Sequence, residues 1–238
     1  MIPVLWSDAG LVAVDKPPGV PVIPGRSDAG GAPLREQLEA QLGRRLWVVH
    51  RLDRDTSGVL LFALDAGSHR AASQAFERGL AEKWYLALVS PPLGAALRVD
   101  AALVPARRSR MRIAGPGEAG KPTVTELSPV ASFGEVGLVE ARPLTGRTHQ
   151  IRVHLRHAGA PLLVDPQYGR PGTVTERDLG GALDAVVLAR TPLHAARLVL
   201  PLGEELPAMD VRAPLPPDMA RALELLRQRT RKDRDVPK

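Results

Sequence analysis

Residues 48–64 read VVHRLDRDTSGVLLFAL. Two valines run into a dense polar knot, His50-Arg51-Leu52-Asp53-Arg54-Asp55-Thr56-Ser57-Gly58, and the chain then returns to an apolar run at 59–64. An apolar run of this length beside turn residues is the pattern of a buried strand. A polar knot against such a strand is costly unless its charges are paired or used. Asp53 stands between Arg51 and Arg54, and neighbouring cations favour the charged carboxylate. Asp53 is therefore a candidate nucleophile or ion-pair partner. The plainer reading is a solvated turn, for which Asp55-Thr56-Ser57-Gly58 is suitable chemistry.

Around this stretch the chain has 238 residues, 44% of them hydrophobic, enough for a real core. Aromatics are only 3%, so the core is expected to be built from Leu, Val and Ala. Net charge is +6, and the basic residues are almost all Arg; Lys occurs at positions 16, 83, 121, 232 and 238. A basic, Arg-dominated balance points to a polyanionic partner. With no Cys, disulfides, thiolate chemistry and Cys-ligated zinc are excluded. No apolar run approaches the roughly 18 residues of a membrane span. The N-terminus lacks a secretory pattern, so a cytoplasmic location is expected.

Read outward, the chain starts with two strands about the turn Ser7-Asp8-Ala9-Gly10, then a proline-pinned segment, Lys16-Pro17-Pro18-Gly19. Leu34, Leu38 and Leu42 predict a helix over 33–43, and a second helix is predicted over 67–80. Residues 82–89 and 99–104 read as strands. The run Arg107-Arg108-Ser109-Arg110-Met111-Arg112 is a basic cluster suited to phosphates. Strands are also expected near 121–127, 136–141 and 211–214, with a terminal helix at 217–229 and a charged, disordered tail at 230–238.

The second dense stretch is PLTGRTHQIRVHLRHAG, residues 143–159. Alternation would suit a strand, while Thr148 as a cap, Ile151 and Leu155 four apart and Gly159 as a stop suit a helix. His154 and His157 stand three apart, but no carboxylate nearby completes a metal site.

Together these stretches resemble the RluA-type pseudouridine synthases. His-Arg-Leu-Asp-x-x-Thr-Ser-Gly is similar to that family's catalytic motif, and Gly146-Arg147-Thr148-His149-Gln150-Ile151-Arg152 to a later one. Lys16-Pro17, Lys83-x-Tyr85, Lys121-Pro122 and Pro161-Leu162-x-x-Asp165 follow the family's order, with Val164 where Gly is usual and Thr123 where Ala is usual. The resemblance implies an α+β pseudouridine synthase fold: a mixed, mostly antiparallel sheet with flanking helices and a central cleft, one catalytic domain over 1–229. It favours the helix at 148–159, and no room remains for an N-terminal S4-like RNA-binding domain.

The implied activity is isomerisation of uridine in structured ribosomal or transfer RNA, without metal, redox cofactor or nucleotide, by a monomer. The resemblance assigns Asp53 as nucleophile, Tyr85 as the residue packed on the base and a candidate general base, and Arg152 as the cation paired with Asp53. It makes Arg51 the candidate to fill the gap left by a flipped base. His50, Lys83, Arg147 and the cluster Arg107, Arg108, Arg110 and Arg112 become substrate-contact candidates, with Arg26 and the tail as further RNA contacts. Lys16 is given a structural or RNA-facing role. The alternative is a catalytically silent RNA-binding or ribosome-assembly protein on the same fold.

Overall fold

The computed structural model describes residues 1–24, 31–107, 109–201 and 208–235. Arg26, Arg108 and the last three residues of the expected tail lie outside them. In chain order the elements are β1 (Val4–Ser7), β2 (Leu11–Lys16), α1 (Leu34–Leu42), β3 (Trp47–Val48), β4 (Ser57–Ala63), α2 (Ala66–Glu77) and β5 (Glu82–Val89). There follow β6 (Leu97–Asp100), β7 (Leu103–Ala106), β8 (Arg110–Ile113), β9 (Val124–Phe133), β10 (Val136–Pro143) and α3 (Gln150–His157). The chain closes with β11 (Val174–Thr175), β12 (Val186–Leu188), β13 (Leu193–Leu200), β14 (Met209–Arg212) and α4 (Pro217–Asp235).

These elements form two compact units. One is Met1–Tyr85 with His194–Pro214, the other Leu86–Leu193 with Leu215–Lys238.

In the first unit β4 is central. It pairs antiparallel with β2 and parallel with β13; β1 extends β2, β14 extends β13, and β3 adds a short pairing to β4. Every residue of β4 is buried, which explains the unbroken apolar run. Leu60 and Phe62 enter one cluster, with Leu34 and Leu38 of α1. Val59, Leu61 and Ala63 enter the other, with Ala72, Ala75 and Phe76 of α2. Asp65 caps α2, its side chain accepting from the Ser68 amide at 2.9 Å.

In the second unit β5, β10, β9 and β6 lie in that order, with β9 antiparallel to both its neighbours. Met219, Ala222, Leu225 and Leu226 of α4 pack with Leu88, Phe133 and Leu138. Pro129 is tolerated within β9 because the register shifts there, Leu138 facing Ala131 but Val139 facing Pro129. Val164, at the family's usual Gly position, is buried in the same cluster as α4.

Two expectations are corrected here. The single strand at 99–104 is two strands, β6 paired with β9 and β7 with β8. The chain changes partner at Ala101 and Ala102, where backbone bonds from Ala101 to Thr123 and from Leu103 to Lys121 divert it. The tail read as disordered from 230 is helical through Asp235. Its basic composition obscured good helix formers. Arg229 also ties the helix down, donating to the carbonyl of Phe133 at 2.6 Å.

Candidate active site

In the first unit, residues 50–56 form a loop held at almost every position. Leu52 is buried in the α1-side cluster, while Arg51 and Arg54 on either side of Asp53 are exposed. Asp53 itself is half-buried, and its carbonyl accepts from the Thr56 amide at 3.1 Å. The Arg54 guanidinium donates to the Gly19 carbonyl at 2.9 Å. Lys16, fully buried at the end of β2, donates to the carbonyls of Pro17 (2.8 Å), Arg54 (2.7 Å) and Thr56 (2.9 Å). Ser57 and His194, side by side in the register of β4 and β13, join Oγ to Nδ1 at 3.0 Å. Gly58 lets the two strands close, since a Cβ there would stand 2.2 Å from the Ala195 carbonyl oxygen.

His50 supports this loop from behind. Its Nε2 accepts the Leu61 amide at 3.1 Å, and its ring stacks on Phe76 with centroids 4.5 Å apart. Burial, then the charge of Lys83, push it down to about 3. The ring is therefore neutral, as an acceptor of a backbone N–H must be at that nitrogen. Lys83 lies over the same Phe76 ring at 5.8 Å, and burial lowers its ammonium below the usual value. Tyr85 packs against the α1-side cluster. Burial, and next the negative charge of Asp53, push its phenol well above 10. Tyr85 is thus a neutral phenol beside the Asp53 charge, better suited to offering a ring face and a donor than to acting as a general base.

In the second unit, α3 begins at Gln150 and not at a Thr148 cap. Thr148 is exposed, and the capping position is His149, in the left-handed region at φ 55°, ψ 16°. No side chain caps the helix; Gln150 instead ties down the segment before it, its Oε1 accepting from the Arg147 amide (3.0 Å) and the Thr145 hydroxyl (2.8 Å). His149 Nδ1 lies 2.8 Å from the Tyr168 hydroxyl, which also accepts the Met111 amide of β8 at 2.7 Å. That shared hydroxyl explains why His149 leaves helical geometry.

Arg152 is buried. Its Nε and Nη2 each donate to the Asp165 carboxylate at 2.8 Å, Nη2 also reaches Gln167, and the guanidinium lies 5.0 Å from the Tyr168 ring centroid. Burial alone would raise Asp165. The Arg152 bonds and charge, with the Gln167 and Tyr168 amides, outweigh it and hold the carboxyl below 3.8. Asp165, which the sequence motif includes without a task, and Tyr168 together fix the plane of Arg152.

His154 closes a directed chain of hydrogen bonds. Gln150 Nε2 donates to Thr125 Oγ1 (3.0 Å), Thr125 to His154 Nδ1 (2.9 Å), His154 Nε2 to Thr123 Oγ1 (2.9 Å), and Thr123 to the Ala101 carbonyl. Burial, the largest influence, lowers His154 below 6.5. His154 serves the fold here, with a hydroxyl on each nitrogen.

His50 and His154 both accept a hydrogen bond at a ring nitrogen that protonation would turn into a donor. Unfolded histidines bind protons below about pH 6.5, so the unfolded state gains protons first. Stability is expected to be full above that pH and to fall as pH drops toward 3, the value for His50. Urea midpoints measured against pH check this. His50→Gln should flatten the slope in that window, and an unchanged slope would exclude His50 as its source.

Of the basic cluster, Arg107 is exposed, Arg110 is half-buried, and both belong to the β7–β8 hairpin or its turn. Arg112 is engaged bidentately by Glu118 at 2.6 and 2.7 Å, which holds that carboxyl down to about 2. Arg147 is exposed, just before α3. Among the described residues no group of three His, Cys, Asp or Glu is placed to hold a metal ion, and no helix is long and apolar enough to cross a membrane.

Comparison with known proteins agrees with this geometry. The profile of the family described as RNA pseudouridylate synthase matches residues 10–157, taking in both motifs. The chain is 36% identical over 230 residues to "Ribosomal large subunit pseudouridine synthase D" of Nitrosomonas europaea, covering 94% of this chain and 65% of that protein. It is 34% identical to "Ribosomal large subunit pseudouridine synthase C" of Pasteurella multocida, covering 94% and 68%. The chain thus spans about two thirds of the length of these curated relatives.

Among solved structures, "Human RNA Pseudouridylate Synthase Domain Containing 4" superposes with a TM-score of 0.75 at 26% identity, covering 94% of this chain and 93% of that one. "Human RNA Pseudouridylate Synthase Domain Containing 1" gives 0.70 at 26%, covering 100% and 96%. The fold is that of the pseudouridine synthases, α+β with a mixed, mostly antiparallel sheet and flanking helices. A braced loop around Asp53, a profile match through both motifs and curated relatives above 30% identity have one common explanation: this chain belongs to the RluA-type RNA pseudouridylate synthase family.

Proposed function

We propose that this protein converts uridine to pseudouridine in large-subunit ribosomal RNA, with Asp53 as the covalent nucleophile. The carrying observation is the Asp53 loop, in which a half-buried carboxylate sits beside a neutral phenol, Tyr85, on a backbone tied at Lys16, Leu52 and Thr56. Preorganised nucleophiles are what covalent catalysis requires. The ribosomal substrate is supported by the names of the relatives.

In this reading the target nucleotide leaves its stack and enters the site, where the Tyr85 ring replaces a lost stacking neighbour. The N1–C1′ glycosidic bond breaks with Asp53 engaged covalently, and the uracil turns. A C5–C1′ bond forms, the bond to Asp53 breaks and returns the carboxylate, and the C5 proton leaves as N1 regains one. Composition is conserved, so no redox partner is consumed. Arg152 enters only through its place in the second motif; in its own unit its guanidinium is held by Asp165. Arg51, exposed beside Asp53, fills the vacated stack.

Transcriptome-wide pseudouridine mapping tests the proposal. A deletion strain rescued by the wild type is compared with one rescued by Asp53→Asn. A large-subunit site modified only with the wild type names activity and substrate together. No difference at any site, with both proteins folded, would favour the silent RNA-binding alternative.

RNA docking is assigned to the hairpin cations. Arg107→Ala with Arg110→Ala should reduce the slope of log affinity against log salt by about 1.5, for two lost phosphate contacts. Arg112→Ala should change it less, because Glu118 already meets that charge. An unaltered slope in the double variant would remove the hairpin from the RNA interface.

A further inference from the structure

We propose that the Arg112 guanidinium and the Gly115 amide form an oxyanion site that an RNA phosphodiester takes over from Glu118, which makes Glu118 an internal competitor of RNA on the β7–β8 hairpin. The inference rests on the reading of that hairpin as an RNA-docking element.

The hairpin has two faces. Met111 and Ile113 of β8 pack with Leu103, Val153 and Tyr168. Successive side chains of a strand point opposite ways, so Arg110 and Arg112 share the other face. Beyond β8 the chain turns at Gly115-Pro116-Gly117-Glu118, where the Glu118 amide donates to the Gly115 carbonyl at 3.1 Å and Gly117 has φ +75°. Proline then glycine at the centre is the composition of a type II turn. The turn brings the Glu118 carboxylate back to the start of the loop. One of its oxygens accepts from Arg112 Nη1 (2.6 Å) and the Gly115 amide (2.9 Å), the other from Arg112 Nη2 (2.7 Å). Arg112 Nη1 also donates to the Ile113 carbonyl at 3.1 Å, a bond that keeps the fork oriented when Glu118 leaves.

Three donors thus converge on two oxygens that share one negative charge. A phosphodiester presents the same pattern, two free oxygens and one charge, and a guanidinium fork fits either group. Arg112 and Glu118 are both exposed, and an exposed ion pair is weak because water and salt compete for its partners. The two Arg112 bonds, then the Gly115 amide, hold the Glu118 carboxyl down to about 2, so it stays charged near neutral pH. Another anion, and not protonation, is what vacates the site. Glu118 competes from within the chain, at high effective concentration. An anion that displaces it must itself be held nearby, as Arg107 and Arg110 hold RNA; a free small anion has no such support.

Anisotropy of a fluorescein-labelled RNA stem-loop over a salt series tests the exchange in the wild type, Glu118→Gln, Arg112→Ala and the double variant. Glutamine keeps an oxygen for the Gly115 amide and loses only the charge. Glu118→Gln should tighten binding about fivefold at low salt and steepen the slope of log affinity against log salt by about 0.8, one phosphate contact. In the Arg112→Ala background the same change should gain less than about twofold. Unchanged binding in Glu118→Gln overturns the proposal. So does an equal gain with and without Arg112, which would be a general effect of charge.

A second readout uses the wild type alone. The Gly115 amide resonance should move when the stem-loop is added, and should stay in place when inorganic phosphate is added at matched ionic strength. No movement with the stem-loop overturns the exchange. An equal shift with inorganic phosphate makes this a small-anion site and overturns the RNA assignment. Neither readout needs turnover. If Arg107→Ala with Arg110→Ala leaves binding untouched, the docking reading of the hairpin falls and this site with it. If that variant weakens binding while Glu118→Gln changes nothing, this site falls alone.

Discussion

Asp53→Asn is expected to yield a protein that folds, binds RNA and forms no pseudouridine, with turnover lower by at least about 10⁴-fold. Asparagine keeps the size and planarity of the side chain, and the Asp53 carbonyl that receives the Thr56 amide is unchanged. What is lost is the anionic oxygen. The variant carries its own structural control. Asp53 is the second influence on the Tyr85 phenol, after burial. Removing the charge should lower the Tyr85 titration while leaving it above 10, since burial persists. Tyr85 and Tyr168 are the only tyrosines, so an ultraviolet phenol titration resolves the change. Turnover within tenfold of the wild type, with that shift present, would remove Asp53 as the nucleophile.

Gly58→Ala should produce the largest loss of stability, about 4 kcal/mol, or roughly 8–16 °C in melting temperature. Two costs add. Gly58 has φ +107°, which side-chain-bearing residues rarely adopt, and the new Cβ would meet the Ala195 oxygen at 2.2 Å and its carbonyl carbon at 2.7 Å. The obstacle is backbone in a paired strand, so no rotamer relieves it. Gly19→Ala separates the two costs: Gly19 is also left-handed, at φ +80°, but nothing lies within 4 Å of its would-be Cβ. It should lose only about 1 kcal/mol. Thermal unfolding of both variants decides the matter, and equal losses would mean that β4 and β13 are farther apart than described.

Much of this was legible in the sequence, for identifiable reasons. The run after Asp53 read as a buried strand because β4 is covered on both sides and shows no alternation. Leu34, Leu38 and Leu42 located α1 because helical spacing is local information. The motif letters carried the family. What sequence withheld is mostly pairing between distant residues.

Nothing in the local pattern says that Arg152 is gripped by Asp165 or that Arg112 is matched by Glu118; those partners meet only when loops close. Thr148 looked like the α3 cap because its chemistry fits, but Tyr168, 19 residues after His149, claims His149 and shifts the start. The resemblance left Lys16 with a structural or RNA-facing role and could not say which, because its carbonyl acceptors leave no trace in the letters.

The pairing of Ser57 with His194 joins residues 137 positions apart. A ribosome adding roughly 5–20 residues per second makes that partner about ten seconds late. For that interval Ser57 and Gly58, at the beginning of β4 beside the Asp53 turn, lack their parallel neighbour, while β2 and α1 have already emerged. During synthesis, then, the segment that carries Asp53 waits for its last neighbours, and the first unit is complete only when β13 and β14 leave the exit tunnel.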